Sequence, residues 1–215
     1  MSVDVRRESI YNFDIARVVF MDAIRSLVER AKPHGFEEIL FPIGNDFLHV
    51  DNDRKETTAG TFQNDALDWG DSFVRGRDLL IEAIDYLATF APVKVITIPG
   101  NHDYNSSIHM SYVIEAYYKN DENVEVLAGS DPYRCVVYGK NLIAFDHGRS
   151  IPPNRLAALM AQTWPKEWAD TEYREWHLGD QHRKGGAWFE ESSVSVEYIP
   201  SLAGRNSWHK QKGYG

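Results

Sequence analysis

The chain has 215 residues, 43% hydrophobic and 26% charged, which suits a single globular domain spanning 1–215. Its net charge of −9 argues against tight non-specific binding to nucleic acid, and the single cysteine excludes an intrachain disulfide or a zinc site built from cysteines. The opening "MSVDVRRES" lacks a signal-peptide core and no apolar run reaches membrane-spanning length, so no membrane association and a cytoplasmic setting are expected.

In chain order, residues 13–31 have helical periodicity, with Ile15, Val18, Val19, Ala23, Leu27 and Val28 expected on one side. "EEILFPIG" (37–44) reads as a buried strand despite Pro42, and a polar loop follows from Asn45 to about Asn64. A long helix is expected over 65–90, a strand over "VKVITIP" (93–99) and a helix around 107–119. Three short strands follow, "NVEVL", "YRCVVYG" and "NLIAF", and then a helix over "NRLAALMAQTW". From about residue 172, "EYREWHLG", "GAWFEE" and "SVSVEYI" read as strands. Helices that alternate with strands early and give way to clustered strands later predict a layered α/β fold with mixed sheets flanked by helices.

Four of these strands end in the same way. "ILFPIG" runs into Asn45, Asp46 and then His49; "VKVITIPG" into Asn101, His102 and Asp103; "NLIAF" into Asp146, His147 and Gly148; "EYREWHLG" into Asp180 and His182. Ligands in open α/β sheets sit beyond the carboxyl ends of strands. Asp, His and Asn supply oxygen and nitrogen without sulfur, a set suited to Mn, Fe, Zn or Mg. Two such ions about 3.5–4 Å apart can clamp a phosphoryl oxygen and generate hydroxide, and an unligated His can protonate a leaving oxygen. Each cluster alone also reads as an ordinary turn, and Asp51 and Asp53 read as solvated. Four together point to a shared site.

With these motifs the chain resembles the calcineurin-like metallophosphoesterases, a superfamily of two-metal phosphatases, phosphodiesterases and DNA-repair nucleases. "GNHD" after a buried strand is the most specific match. "GNDFLH" resembles the Gly-Asp motif with one residue inserted, "DHG" the later His-Gly, and "GDQH" the closing Gly-His-x-His, all within about residues 37–183. The resemblance implies an αββα fold and metal-dependent hydrolysis of phosphoesters, phosphodiesters first, in the manner of a nuclease. Asp46 would bridge two metals, Asn101 and His147 would hold the second, and His182 the first. His102 would serve the leaving group with Asp103 orienting its ring, and His49 would lie near the scissile bond. Manganese is the foremost metal.

Two departures modify this. Asp180 stands where the family has His; if the segment is extended, residues 180 and 182 share a side and Asp180 can still ligate, whereas His177 has the opposite parity. No Asp-x-His strand precedes residue 37, so the first strand of the family is absent, and the chain reads as a shortened relative, a fragment or half of a split protein. A neighbouring strand edge would then be open to a homo-oligomer or to a partner chain that supplies the strand. One metal position is then well formed and the other impaired, and a non-catalytic metal-binding module is the alternative reading. Arg54, Lys55, Thr57 and Thr58 are candidate substrate contacts.

Overall fold

The computed structural model describes residues 12–63, 65, 67–181, 185–189 (backbone only) and 194–202. It divides into two units, residues 1–36 with 201–215 and residues 37–200. The first unit contributes helix α1, Phe13–Ala31, whose N-terminus is capped by the Asn12 side chain accepting from the Ile15 amide at 3.0 Å. Its buried residues are Met21, Ile24 and Val28, whereas Ile15, Val18 and Leu27 are exposed. The apolar side therefore lies rotated from the one that periodicity suggested, because apolar residues surround this helix on more than one face.

The second unit holds the other elements. Strand β1 (Ile39–Gly44), helix α2 (Trp69–Ala88), strand β2 (Val93–Ile98), helix α3 (Tyr104–Tyr118) and strand β3 (Val124–Leu127) come first. Strands β4 (Tyr133–Tyr138) and β5 (Asn141–Asp146) follow, then helices α4 (Leu156–Thr163) and α5 (Pro165–Asp170). Strands β6 (Tyr173–Leu178), β7 (Gly185–Phe189) and β8 (Val194–Tyr198) complete it. The α2 helix starts four residues later than expected, because the segment before it belongs to the loop, and α5 was not foreseen. Pro165 opens α5 at a position where a missing N–H costs nothing.

The first three strands form a parallel sheet in the order β1-β2-β3. The others form a mixed sheet in the order β4-β5-β6-β8-β7, with β5, β6 and β8 parallel and the outer pairs antiparallel. Central β2 is β-branched at every position but Lys94 and buried on both faces, as a covered parallel strand requires. Ile96 and Ile98 of β2 meet Val136 of β4 and Phe145 of β5 in one cluster, so the two sheets pack face to face. On the far face of the mixed sheet, Leu142, Ala144, Trp176, Leu178, Val194 and Val196 pack against Leu156 and Met160 of α4. Trp176 is fully buried and its indole N–H donates to the Leu156 carbonyl at 3.2 Å. Helices α2 and α3 contact the parallel sheet, so the layers run α/β/β/α.

Among the described residues, strand β1 is at the edge of its sheet. The amides of Ile39 and Asn45 donate to Pro92 and Ile98 across the β1–β2 pair. By alternation, residue 42 faces the other edge, where Pro42 sacrifices no ladder bond. Among the described residues no helix is long and apolar enough to cross a membrane.

Cys135 on β4 packs against the cluster under α4. Burial, aided by the charge of Glu167, pushes its thiol up to about 12. Only the thiolate reacts, so alkylation by iodoacetamide at pH 8 is expected to run roughly a hundredfold or more slower in the native protein than in guanidinium. Mass spectrometry over time reads this directly; equal rates in both states would contradict the half-buried placement of Cys135 against the cluster.

Candidate metal centre

The carboxyl ends of β1 and β2 in one sheet and of β5 and β6 in the other come together around the His147 ring. Its Nε2 lies 2.7 Å from Asn101 Oδ1, 3.4 Å from Asp46 Oδ2 and 3.6 Å from Asp180 Oδ1. Its Nδ1 faces Asn45 Oδ1 in a short hydrogen bond. A neutral imidazole has a single N–H, so it satisfies one of these four oxygens. A cation shared by Nε2 and its oxygen neighbours would satisfy that whole end of the ring. Ligands about 2.1 Å from a metal stand roughly 3.0–3.4 Å from their neighbours; the Asp46 separation matches this, whereas Asn101 lies closer, in a direct hydrogen bond, and Asp180 slightly farther. Among the described residues no group of three or more His, Cys, Asp and Glu side chains is placed to hold a metal ion, so Asp46, His147 and Asp180 are candidate ligands by proximity and donor type and not by ligand geometry.

The backbone is bent to make this convergence. Gly44, Asn45 and Asp46 all have left-handed φ, of 93°, 60° and 63°, and Asp180 has 56°. Non-glycine residues adopt that region at a cost, typically where a site requires it. Gly100 and Gly179 make room. A Cβ on Gly100 would lie 2.1 Å from Asp46 Oδ1 and 2.3 Å from the Asp46 backbone nitrogen. A Cβ on Gly179 would lie 2.3 Å from Asn45 Nδ2. Asp146 is buried, accepts from the Gly148 amide at 2.6 Å and thereby fixes the turn that presents His147.

Three carboxylates tie the loop after β1 to the loop after β2. Asp46 Oδ1 accepts from the His102 amide at 2.8 Å, and Asp103 Oδ2 accepts from the Leu48 amide at 2.8 Å. Asp51 accepts from the Ser106 amide at 2.7 Å, the Asn105 side chain at 2.7 Å and the Thr58 hydroxyl at 2.8 Å. Asp51 is therefore buried at the N-terminus of α3, not solvated as its position in a polar run suggested. Burial acts to raise its pKa, but the bonds from Ser106, Thr58 and Asn105 together hold it below the usual carboxylate value.

The ring of His102 is oriented by a carbonyl and not by Asp103. Its Nδ1 lies 3.2 Å from the His49 carbonyl oxygen, and its ring stacks on that of His49 with centroids 5.5 Å apart. Asp103 is fully buried, and its Oδ2 is committed to Leu48, so it braces the loop instead of the ring. Burial, with the nearby Asp46 charge adding, pushes that carboxyl up to about 7 against the Leu48 bond. Close surroundings and the facing His102 lower the His49 pKa, although the residue as a whole stays exposed.

Asp180 reaches the centre by a different route from the extended one expected. Strand β6 ends at Leu178, and the chain then turns left-handed at Asp180. His177 lies against Phe145 on the sandwich face, with Glu175 Oε1 at 3.2 Å. His182 lies outside the described residues. The candidate substrate contacts of the loop are mostly spent on structure. Thr57 is buried with its hydroxyl accepting from Thr61, Thr58 serves Asp51, and Lys55 donates to the Asp65 carbonyl, while Arg54 is exposed. Sequence reading placed Asn45 in the cluster at the end of β1 but gave it no role, and it missed Arg149, which follows His147 by two residues. The chain matches no protein-family model and no curated protein.

The glycine packing gives a paired test. Gly100→Ala is expected to destabilise by about 1–3 kcal/mol through overpacking against the Asp46 backbone, which has no room to yield. Gly70→Ala in α2, where a Cβ meets nothing within 4 Å, is expected to be neutral or stabilising. Urea midpoints of the two variants decide; equal midpoints would mean that Asp46 does not pass over Gly100.

Proposed function

We propose that the chain is a metal-dependent phosphoester hydrolase of the calcineurin-like metallophosphoesterase kind, acting on phosphodiesters, with Asp46, Asn101, His147 and Asp180 holding its principal cation. The observation that carries this reading is the set of three oxygens, from three other strand ends, within 3.6 Å of His147 Nε2. Manganese suits the mixed N/O donor set, with Fe, Zn or Mg as other possibilities. Bound there, a divalent ion supplies a hydroxide nucleophile and neutralises charge on a phosphoryl oxygen.

The residues of the chain do the rest. Asp46 uses one oxygen on the His102 amide and turns the other towards His147, so ligand and acid are fixed by one side chain. His102, with Nδ1 at the His49 carbonyl, has Nε2 as the ring atom that delivers a proton to a departing alkoxide. The lowered pKa of His49 keeps its ring neutral at neutral pH, so two stacked rings need not both carry charge.

One observation favours a second reading, a metal-binding module without turnover. Two-metal displacement needs a second cation position, and among the described residues only one convergence is present. Manganese titrated into metal-free protein separates the readings. One tight equivalent is expected, lost in His147→Ala, with hydrolysis of bis(p-nitrophenyl) phosphate reduced roughly a hundredfold or more in His102→Ala. Binding without hydrolysis would leave the second reading. Manganese binding that is absent, or unaffected by His147→Ala, would sink both.

A further inference from the structure

Next to the centre stands one cation that the argument above does not use. Arg149 follows the left-handed Gly148, whose turn is fixed by Asp146, and its Nη1 lies 4.0 Å from Asp180 Oδ1. That same Asp180 oxygen is the one 3.6 Å from His147 Nε2. The Arg149 side chain is 60% exposed, and 4.0 Å is too long for a hydrogen bond, so the guanidinium is near the centre without being consumed by it. Lys55, by contrast, is held by the Asp65 carbonyl and Asp68.

Resting on the metal-centre reading, we infer that Arg149 is the substrate-binding residue of the site and that it selects a monoanionic phosphodiester. The guanidinium presents a planar fork of donors that matches two non-bridging phosphoryl oxygens, a pairing an ammonium group does not reproduce. Charge sets the class. Among the described residues around His147 Nε2, the carboxylates of Asp46 and Asp180 would cancel one divalent cation, Asn101 and His147 add none, and Arg149 leaves a single positive charge. A phosphodiester carries one negative charge and balances it. A phosphomonoester, close to doubly charged at neutral pH, leaves an excess next to Asp46 and Asp180. The Asp180 carboxylate attracts the guanidinium towards the centre without bonding it, and the exposure of Arg149 leaves its donors open to the incoming anion.

The experiment uses the full chain loaded with manganese and reads binding apart from turnover. Dimethyl phosphate is the probe, and the broadening of its ³¹P resonance by bound manganese reports occupancy. Wild type is expected to broaden the signal and to bind dimethyl phosphate more tightly than methyl phosphate. Arg149→Ala is expected to bind manganese as wild type does and to lose roughly 10- to 100-fold in affinity for the diester, the worth of hydrogen bonds to a charged group. Arg149→Lys should recover part of that loss, since charge returns without the fork. Undiminished diester affinity in Arg149→Ala, with manganese bound, would overturn the role of Arg149 and leave the metal centre standing. Tighter binding of the monoester by wild type would overturn the charge match. Failure of wild type to bind manganese would remove the centre itself, and this inference with it.

Discussion

The exchange of carboxylates between two loops is the constraint on which the site rests. The loop after β1 sends Asp46 to the His102 amide and Asp51 to the first turn of α3, and the loop after β2 returns Asp103 to the Leu48 amide. Each bond joins a carboxyl oxygen to a buried or half-buried backbone N–H, and that of Asp51, held below the usual carboxylate value, is of the charge-assisted kind that is stronger than a neutral pair. Apart from Ser106 in the first turn of α3, both ends of each bond lie in irregular backbone, where an unpaired amide or acid would be costly. Neither loop can therefore shift alone. Because Asp46 and Asn101 lie on these two loops, the brace that satisfies the backbone also sets the spacing of two candidate ligands.

The same economy explains where the strain lies. Among the described residues, the left-handed non-glycine positions are Asn45, Asp46, Lys55 and Asp180, and all but Lys55 are neighbours of His147. Glycines at 100 and 179 sit where a methyl group would strike Asp46 or Asn45. Strain and close packing thus fall on the strand ends, while the strands behind them, β2 above all, are regular and buried. A rigid sandwich carries an irregular rim, the usual division between scaffold and site.

Much of this was legible in the sequence, and the failures have physical causes. The strands were readable because β-branched runs such as "VKVITI" end at glycine or polar punctuation. The convergence of Asp46, Asn101, His147 and Asp180 could be anticipated from four strands with similar endings. Side-chain partnership could not. Asp51 looked solvated because composition cannot show that α3 begins beside it. Asp103 looked like the orienter of His102 because the two are adjacent in sequence, yet that adjacency places its carboxylate inward on Leu48 while a carbonyl faces the ring. The period-two argument for Asp180 failed because the strand stops two residues earlier. The face of α1 was misjudged because periodicity ranks faces only when one of them is polar.

The central claim is that the two loops are locked by their carboxylates before any metal arrives. Amide hydrogen exchange of the metal-free protein, resolved at Leu48, His102 and Ser106, tests it most directly. These three amides should be protected together, near the level of the β2 strand amides, and Asp51→Ala should release all three, with β2 left protected. Exchange at loop-like rates in the metal-free protein, or loss of protection at Ser106 alone in the variant, would contradict the account.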